Sequence, residues 1–113
     1  MRVAVWVADT ETEREHGLMG KASLPPDRGM VFLFADEGGP VTTQFWMKDT
    51  SIPLSIAFWD ASGRIVAIRD MVPCTDDPCA VYGSPVPYTG ALEVNEGFFK
   101  AHGVVVGDRV ELG

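Results

Sequence analysis

The chain has 113 residues, 46% hydrophobic and 22% charged, which is enough for one packed core and too little for two. Nine basic residues against sixteen acidic ones give a formal charge of −7; this speaks against nucleic acid or an anionic membrane surface as partner, since both demand a basic face. No apolar run approaches the roughly 20 residues that cross a bilayer, so no membrane span is expected.

The chain opens with Met-Arg and then Val3 to Ala8, alternating Val with Ala or Trp. This stretch is too short for a signal peptide and no cleavage site follows, so it reads as a first strand with apolar residues on both faces. Thr10-Glu11-Thr12-Glu13 has the spacing of a capping box, in which the Thr10 hydroxyl accepts from the Glu13 amide and the Glu13 side chain reaches back. A short helix is expected from Glu11 to His16, ended at Gly17. Glu11, Glu13 and Glu15 suit the positive end of that helix, and His16 its negative end. Gly29 to Phe34 is a buried strand. A turn follows over Asp36 to Pro40. Thr43 to Lys48 is expected as a strand that runs into a bend fixed by Pro53.

Leu54 to Trp59 and Arg64 to Val72 are expected as a hairpin around Asp60-Ala61-Ser62-Gly63. Pro73 to Pro87 contains Pro73, Pro78, Pro85 and Pro87 and reads as a long ordered loop, a length that flags function or mobility. Tyr88 to Asn95 is a further strand. A short helix over Gly97 to His102 is stopped by Gly103, with His102 near its carbonyl end. Val104 to Val106 and Arg109 to Leu112 are expected to close the chain as a hairpin around Gly107-Asp108. The sum is about seven strands and one or two short helices joined mostly by hairpin-sized connections. The fold class is therefore mainly β (α+β), a single domain over 1–113 built as a partly closed antiparallel barrel or sandwich.

Cys74 and Cys79 are separated by four residues in a Pro- and Asp-rich turn. A disulfide closing this small loop is the favoured reading, contributing about 2 kcal/mol by chain entropy, and it implies an oxidising, extracytoplasmic compartment. Free thiols, half of a metal site and a redox pair are the alternatives. The metal site lacks finger-like partners among His16 and His102. The spacing is also not the C-x-x-C of redox motifs.

Four stretches carry a resemblance: Gly17-Leu18-Met19, Gly29-Met30-Val31-Phe32, Phe45-Trp46-Met47-Lys48-Asp49-Thr50-Ser51-Ile52-Pro53-Leu54, and Leu92-Glu93-Val94-Asn95-Glu96-Gly97. In this order they resemble the DUF192 family, a domain of unknown function, over about Val3 to Leu112. The Cys74–Cys79 loop and the Gly107-Asp108 turn also look like the family's. The chain departs from the family at Asp49, where Asn is usual, at Ser55, where Asp is common, and at Gly20-Lys21, where a bulky residue and Arg are usual. The resemblance implies a compact β-rich domain of a kind often exported or lipid-anchored in bacteria, and it implies no reaction.

The Phe45 to Thr50 segment is the best candidate for function. Strand alternation sets Phe45 and Met47 on one face and Gln44, Trp46 and Lys48 on the other, a grouping of indole, ammonium and amide. An aromatic platform with polar neighbours suits a sugar, a peptide or another small molecule. The plainer reading places Trp46 in the core and pairs Lys48 with a carboxylate such as Glu93. Met19, Met30, Met47 and Met71 lie in or beside these segments. Thioethers can line adaptable grooves or hold a soft metal such as Cu(I), although core filling is their commoner role. The leading expectation is a non-catalytic ligand-binding or accessory module whose binding residues are Met19, Met30, Gln44, Trp46, Met47, Lys48, Asp49 and Glu93. The alternative is a hydrolase with Asp49 and Glu93 as acid and base and Lys48 shifting their pKa values. No metal set, cofactor loop or nucleophile elbow is recognisable, so no cofactor is expected, and a monomer is favoured.

Overall fold

The computed structural model describes residues 2–112. Its order of elements is β1 (Ala4–Ala8), α1 (Glu11–His16), β2 (Arg28–Leu33), a 3₁₀ turn (Ala35–Glu37), β3 (Phe45–Trp46), β4 (Leu54–Trp59), β5 (Ile65–Met71), β6 (Val81–Tyr82), β7 (Gly90–Asn95) and α2 (Phe98–Ala101). The strands form a five-stranded sheet in the order β1-β2-β7-β4-β5 and a two-stranded ribbon of β3 and β6. The class is mainly β, as expected. Strands β1 and β5 stay at opposite edges of the sheet, so no barrel closes among the described residues.

The capping box forms as its spacing predicts. The Glu13 amide donates to Thr10 Oγ1 at 3.2 Å, and Glu13 Oε1 accepts from the Thr10 amide at 3.2 Å. These bonds hold the Glu13 carboxyl below its ordinary pKa, the hydrogen bond from the Asp9 backbone contributing most. The β4–β5 hairpin also forms, with Asp60 Oδ1 accepting from the Ser62 and Arg64 amides.

Several expectations need correction. β1 pairs with β2 in parallel, not antiparallel, because α1 lies in the connection and returns the chain in its starting direction. The strand expected over Thr43 to Lys48 shrinks to Phe45–Trp46, and its partner β6 lies inside the proline-rich segment expected to be all loop. The closing hairpin is absent: its residues make one bridge, Arg64 to Arg109, because the segment pairs with the β4–β5 turn rather than with itself. A 3₁₀ turn occupies the start of the expected Asp36 to Pro40 turn.

Two apolar layers flank the sheet. One packs Phe32, Ile56, Phe58 and Ala91 beneath the β3–β6 ribbon, with Phe45 edge-on to Phe32 at 5.0 Å and to Phe58 at 5.8 Å between ring centroids. Tyr88 joins this layer against Phe58 and Phe34, and its hydroxyl donates to the Thr43 carbonyl. Burial raises the pKa of that hydroxyl. The other layer packs Val31, Ala57, Trp59, Leu92 and Val94 beneath Phe98 and Phe99 of α2. Gly90 permits this second layer, since a Cβ there would lie 2.5 Å from the Trp59 indole.

Candidate functional site

The two layers differ in how they end. Over the ribbon-covered face, the chain leaves a cavity of about 930 Å³, at the upper end of the range for small-molecule sites. Its floor is the sheet. Glu93 of β7 stands opposite Met30 of β2 and Ile56 of β4 in register, so its side chain rises on the ribbon side. Its walls are Phe32, Phe34, Phe45 and Met47, with Leu18 and Met19 on the facing turn.

Glu93 is the unusual group. It is 4% exposed, lines the cavity, and has no hydrogen-bond or ion-pair partner among the described residues. A buried carboxylate without a partner is costly, so the protein favours its neutral form. Burial alone pushes the Glu93 pKa up to about 8. Arg28, at the start of β2, is stacked on Trp6 at 4.2 Å, and among the described residues no cation forms an ion pair with Glu93. The Arg28 Nε is itself buried without a hydrogen-bond partner.

The outer wall is α1 and the turn after it. Arg14 fixes this helix to the 3₁₀ turn through a fork to Asp36, at 2.9 and 3.0 Å, and a 2.8 Å bond to the Leu33 carbonyl. The fork raises the Arg14 pKa and lowers that of Asp36. Gly17 then turns the chain over the floor with φ +50°, which favours glycine. This turn carries Leu18 and Met19 to the cavity. Glu11, Glu15, His16 and Glu37 line its outer part.

The residues singled out from the sequence divide into groups. Met19, Gln44, Trp46, Met47 and Glu93 line the one cavity. Trp46 is half-exposed, not a core residue. Met30 lies on the neighbouring hollow beneath Trp6, which shares Met19 and His16 with the main cavity. Lys48 and Asp49 are not part of the lining. The Lys48 ammonium turns to the cysteine loop, 3.2 Å from Asp77 Oδ2 and 3.2 Å from the Thr75 carbonyl, so the expected pair with Glu93 does not form. Asp49 is exposed at φ +56°, its amide donating to the Cys74 carbonyl and its carbonyl accepting from Gly20. The acid–base pair of a hydrolase is therefore not assembled around Glu93. Met47 and Met71 fill core, as methionines commonly do. The two histidines sit at helix carbonyl ends as expected, His102 with its Nδ1 2.8 Å from the Phe98 carbonyl.

Cys74 and Cys79 form a disulfide. Cys74 bridges to both Lys48 and Thr50, so the closed loop braces the segment that ends the cavity wall. Reasoning from sequence missed Phe32, Phe34, Phe45, Leu18 and Arg14 as lining residues, because they come from β2, the segment after it, the ribbon, the Gly17 turn and α1, and only the folded chain brings these around one space. The signal that was available was Glu93, one carboxylate within an apolar strand.

The chain belongs to the DUF192 family, described as an uncharacterized ACR, which it matches over residues 1–112. A crystal structure of a protein of unknown function from Novosphingobium aromaticivorans DSM 12444 is similar, with a TM-score of 0.85 and 32% identity over 96% of this chain and 74% of the other. A protein from Sinorhizobium meliloti 1021, provisionally described as a transcription regulator, superposes with a TM-score of 0.85 and 37% identity over 95% of this chain and 79% of that one. No curated protein matches the chain.

Proposed function

We propose that the domain is a non-catalytic binding module that takes a small molecule into the cavity above Glu93. The observation that carries this reading is a carboxyl without a partner among the described residues, built into a floor walled by aromatic and thioether side chains beneath a polar rim. A purely structural core has no use for such a group, because an apolar side chain of the same size is more stable there. A few polar groups in an apolar hollow are the usual composition of a ligand site. Trp46 and Gln44 at the rim extend it as a platform on which a ring, a sugar or a peptide end can rest. Because a single chain completes the cavity, we take the module to act as a monomer.

The disulfide supports work in an oxidising, extracytoplasmic compartment. Among the described residues no helix is long and apolar enough to cross a membrane. The likeness to a protein described as a transcription regulator does not extend here to DNA docking, for which the net charge of −7 is unfavourable.

Methionine methyl signals test the reading directly. A small-fragment screen followed by NMR is expected to move the methyl resonances of Met19 and Met47, which line the cavity, and to leave that of Met71, which is buried outside it. Hits that move only Met71, or no cavity methyl at all, refute it.

A further inference from the structure

Resting on that binding reading, we propose that the cavity selects organic cations: an ammonium group on an apolar or aromatic body, seated with its charge against Glu93. Three independent features converge on this. The first is Glu93 itself, nine-tenths buried, aimed into the cavity and unpartnered. Either a proton or a cation must satisfy such a group, and a ligand ammonium supplies the charge together with hydrogen bonds to the carboxylate oxygens.

The second is the charge of the lining. Besides Glu93 it holds Glu11, Glu15 and Glu37 against the single guanidinium of Arg14, with His16 beside them. The Arg14 guanidinium is committed to Asp36 and the Leu33 carbonyl and lies 3.9 Å from Glu37 Oε1, so Glu37 is paired as well. Lys48 is drawn off to Asp77 and Arg28 lies stacked on Trp6. An anion entering the cavity therefore meets Glu11 and Glu15 at the rim and no uncommitted lysine or arginine, whereas a cation is attracted from the rim inward. The third is the walls. The rings of Phe32, Phe45 and Trp46 border the same space, and aromatic faces favour ammonium ions over neutral or anionic groups.

The proton balance follows. Free Glu93 is protonated near neutral pH, and seating a cation makes the ionised form the favoured one. The proton leaves to solvent as the ion pair forms. Binding therefore strengthens as pH rises toward the Glu93 pKa and levels off above it. Glu11, Glu15 and His16 of α1, and Glu37 of the 3₁₀ turn, face the same space.

Three near-isosteric probes decide the matter: 2-phenylethylammonium, 2-phenylethanol and phenylacetate, each titrated by calorimetry and by the Met19 and Met47 methyl signals. The ammonium probe is expected to bind about tenfold or more tightly than the alcohol, and phenylacetate most weakly. Calorimetry at about pH 6.5 in two buffers of different ionisation enthalpy is expected to show roughly one proton released per ammonium bound. Glu93→Gln is expected to abolish that release and bring the ammonium down to the affinity of the alcohol. A release that persists in Glu93→Gln assigns the proton to another group and overturns the role given to Glu93. Should the variant fail to fold, the wild-type affinity ratio and proton count decide alone. Equal binding of alcohol or phenylacetate overturns the cation selectivity while leaving the cavity a ligand site. Silence of all three probes at millimolar concentration overturns both.

Discussion

The two faces of the sheet treat a buried polar group in opposite ways. On the α2 side, Ser55 is 2% exposed and fully used: its hydroxyl donates to Asp70 Oδ1 at 2.7 Å and accepts from the Gly97 amide at 3.3 Å. On the ribbon side, Glu93 is 4% exposed and has no partner among the described residues. Interiors normally satisfy the polar groups they bury, and an exception calls for a reason. The first face behaves as a core in which each group helps to hold the fold. The second keeps a group whose natural partner lies outside the chain, which is the pattern expected where stability has been exchanged for binding.

The comparison is broken most severely from the closed side. Phe99 is 4% exposed and covers Val31, Leu92 and Val94 together with Phe98. Phe99→Ala is expected to cost about 3–5 kcal/mol, the usual range for a buried phenylalanine, measured by urea unfolding. Native-state methyl signals of Met19 and Met47 are expected to move little, since the sheet separates them from α2. If those signals shift as strongly as the stability falls, the two faces are one coupled core and the distinction drawn between them fails.

Glu93→Gln reads the open side, and its effect depends on pH. Burial raises the folded-state pKa of Glu93 to about 8 from the ordinary carboxyl value of 4.5. Below the unfolded value both states carry the proton and the site costs nothing extra. As pH rises from there through the folded value, the unfolded chain gives up its proton first, so wild-type stability falls across that window and is level above it. Each pKa unit is worth about 1.4 kcal/mol, so the deficit above pH 8 is on the order of a few kcal/mol. The glutamine variant does not titrate. It is expected to match the wild type near pH 4.5, to exceed it progressively up to about pH 8 and to keep a constant advantage above that, a trend read by urea unfolding across that range. A constant difference between the two proteins from acid to base would mean that Glu93 ionises freely in the folded state.

Much of the local structure on both faces was legible in the sequence, and for a physical reason. Capping boxes, hairpin turns and apolar strands are written in residues close together, so Thr10 with Glu13, Asp60 with Gly63 and the run from Leu54 to Trp59 could be read locally. What stayed unreadable depends on distant approach. Whether β1 runs parallel or antiparallel to β2 depends on how α1 packs. The partner of Lys48 depends on where the cysteine loop folds, and the loop offered Asp77 where the strand had offered Glu93. The cavity lies between these two regimes. Glu93 and Trp46 stood out as odd residues within regular strands, but the phenylalanines that surround them looked like any core residue until the ribbon crossed above the sheet.

The smallest expected effect on stability sharpens the comparison most. Trp46 is half-exposed at the rim and pairs across the ribbon with Val81, which is also exposed. Trp46→Ala removes a cross-strand pair worth less than about 1 kcal/mol and little buried area. If Trp46 were only a surface residue of the ribbon, nothing else would change. As a wall of a cation site it contributes its ring face to a bound ammonium, a contact worth about 0.5–2 kcal/mol depending on how far the ligand is desolvated. The variant is therefore expected to unfold within about 1 kcal/mol of the wild type in urea while binding 2-phenylethylammonium severalfold more weakly. Its release of a proton on binding is expected to persist, because that belongs to Glu93. Loss of stability without loss of affinity would place Trp46 with the residues that hold the fold, and would leave Glu93 as the cavity's sole determinant of charge selectivity.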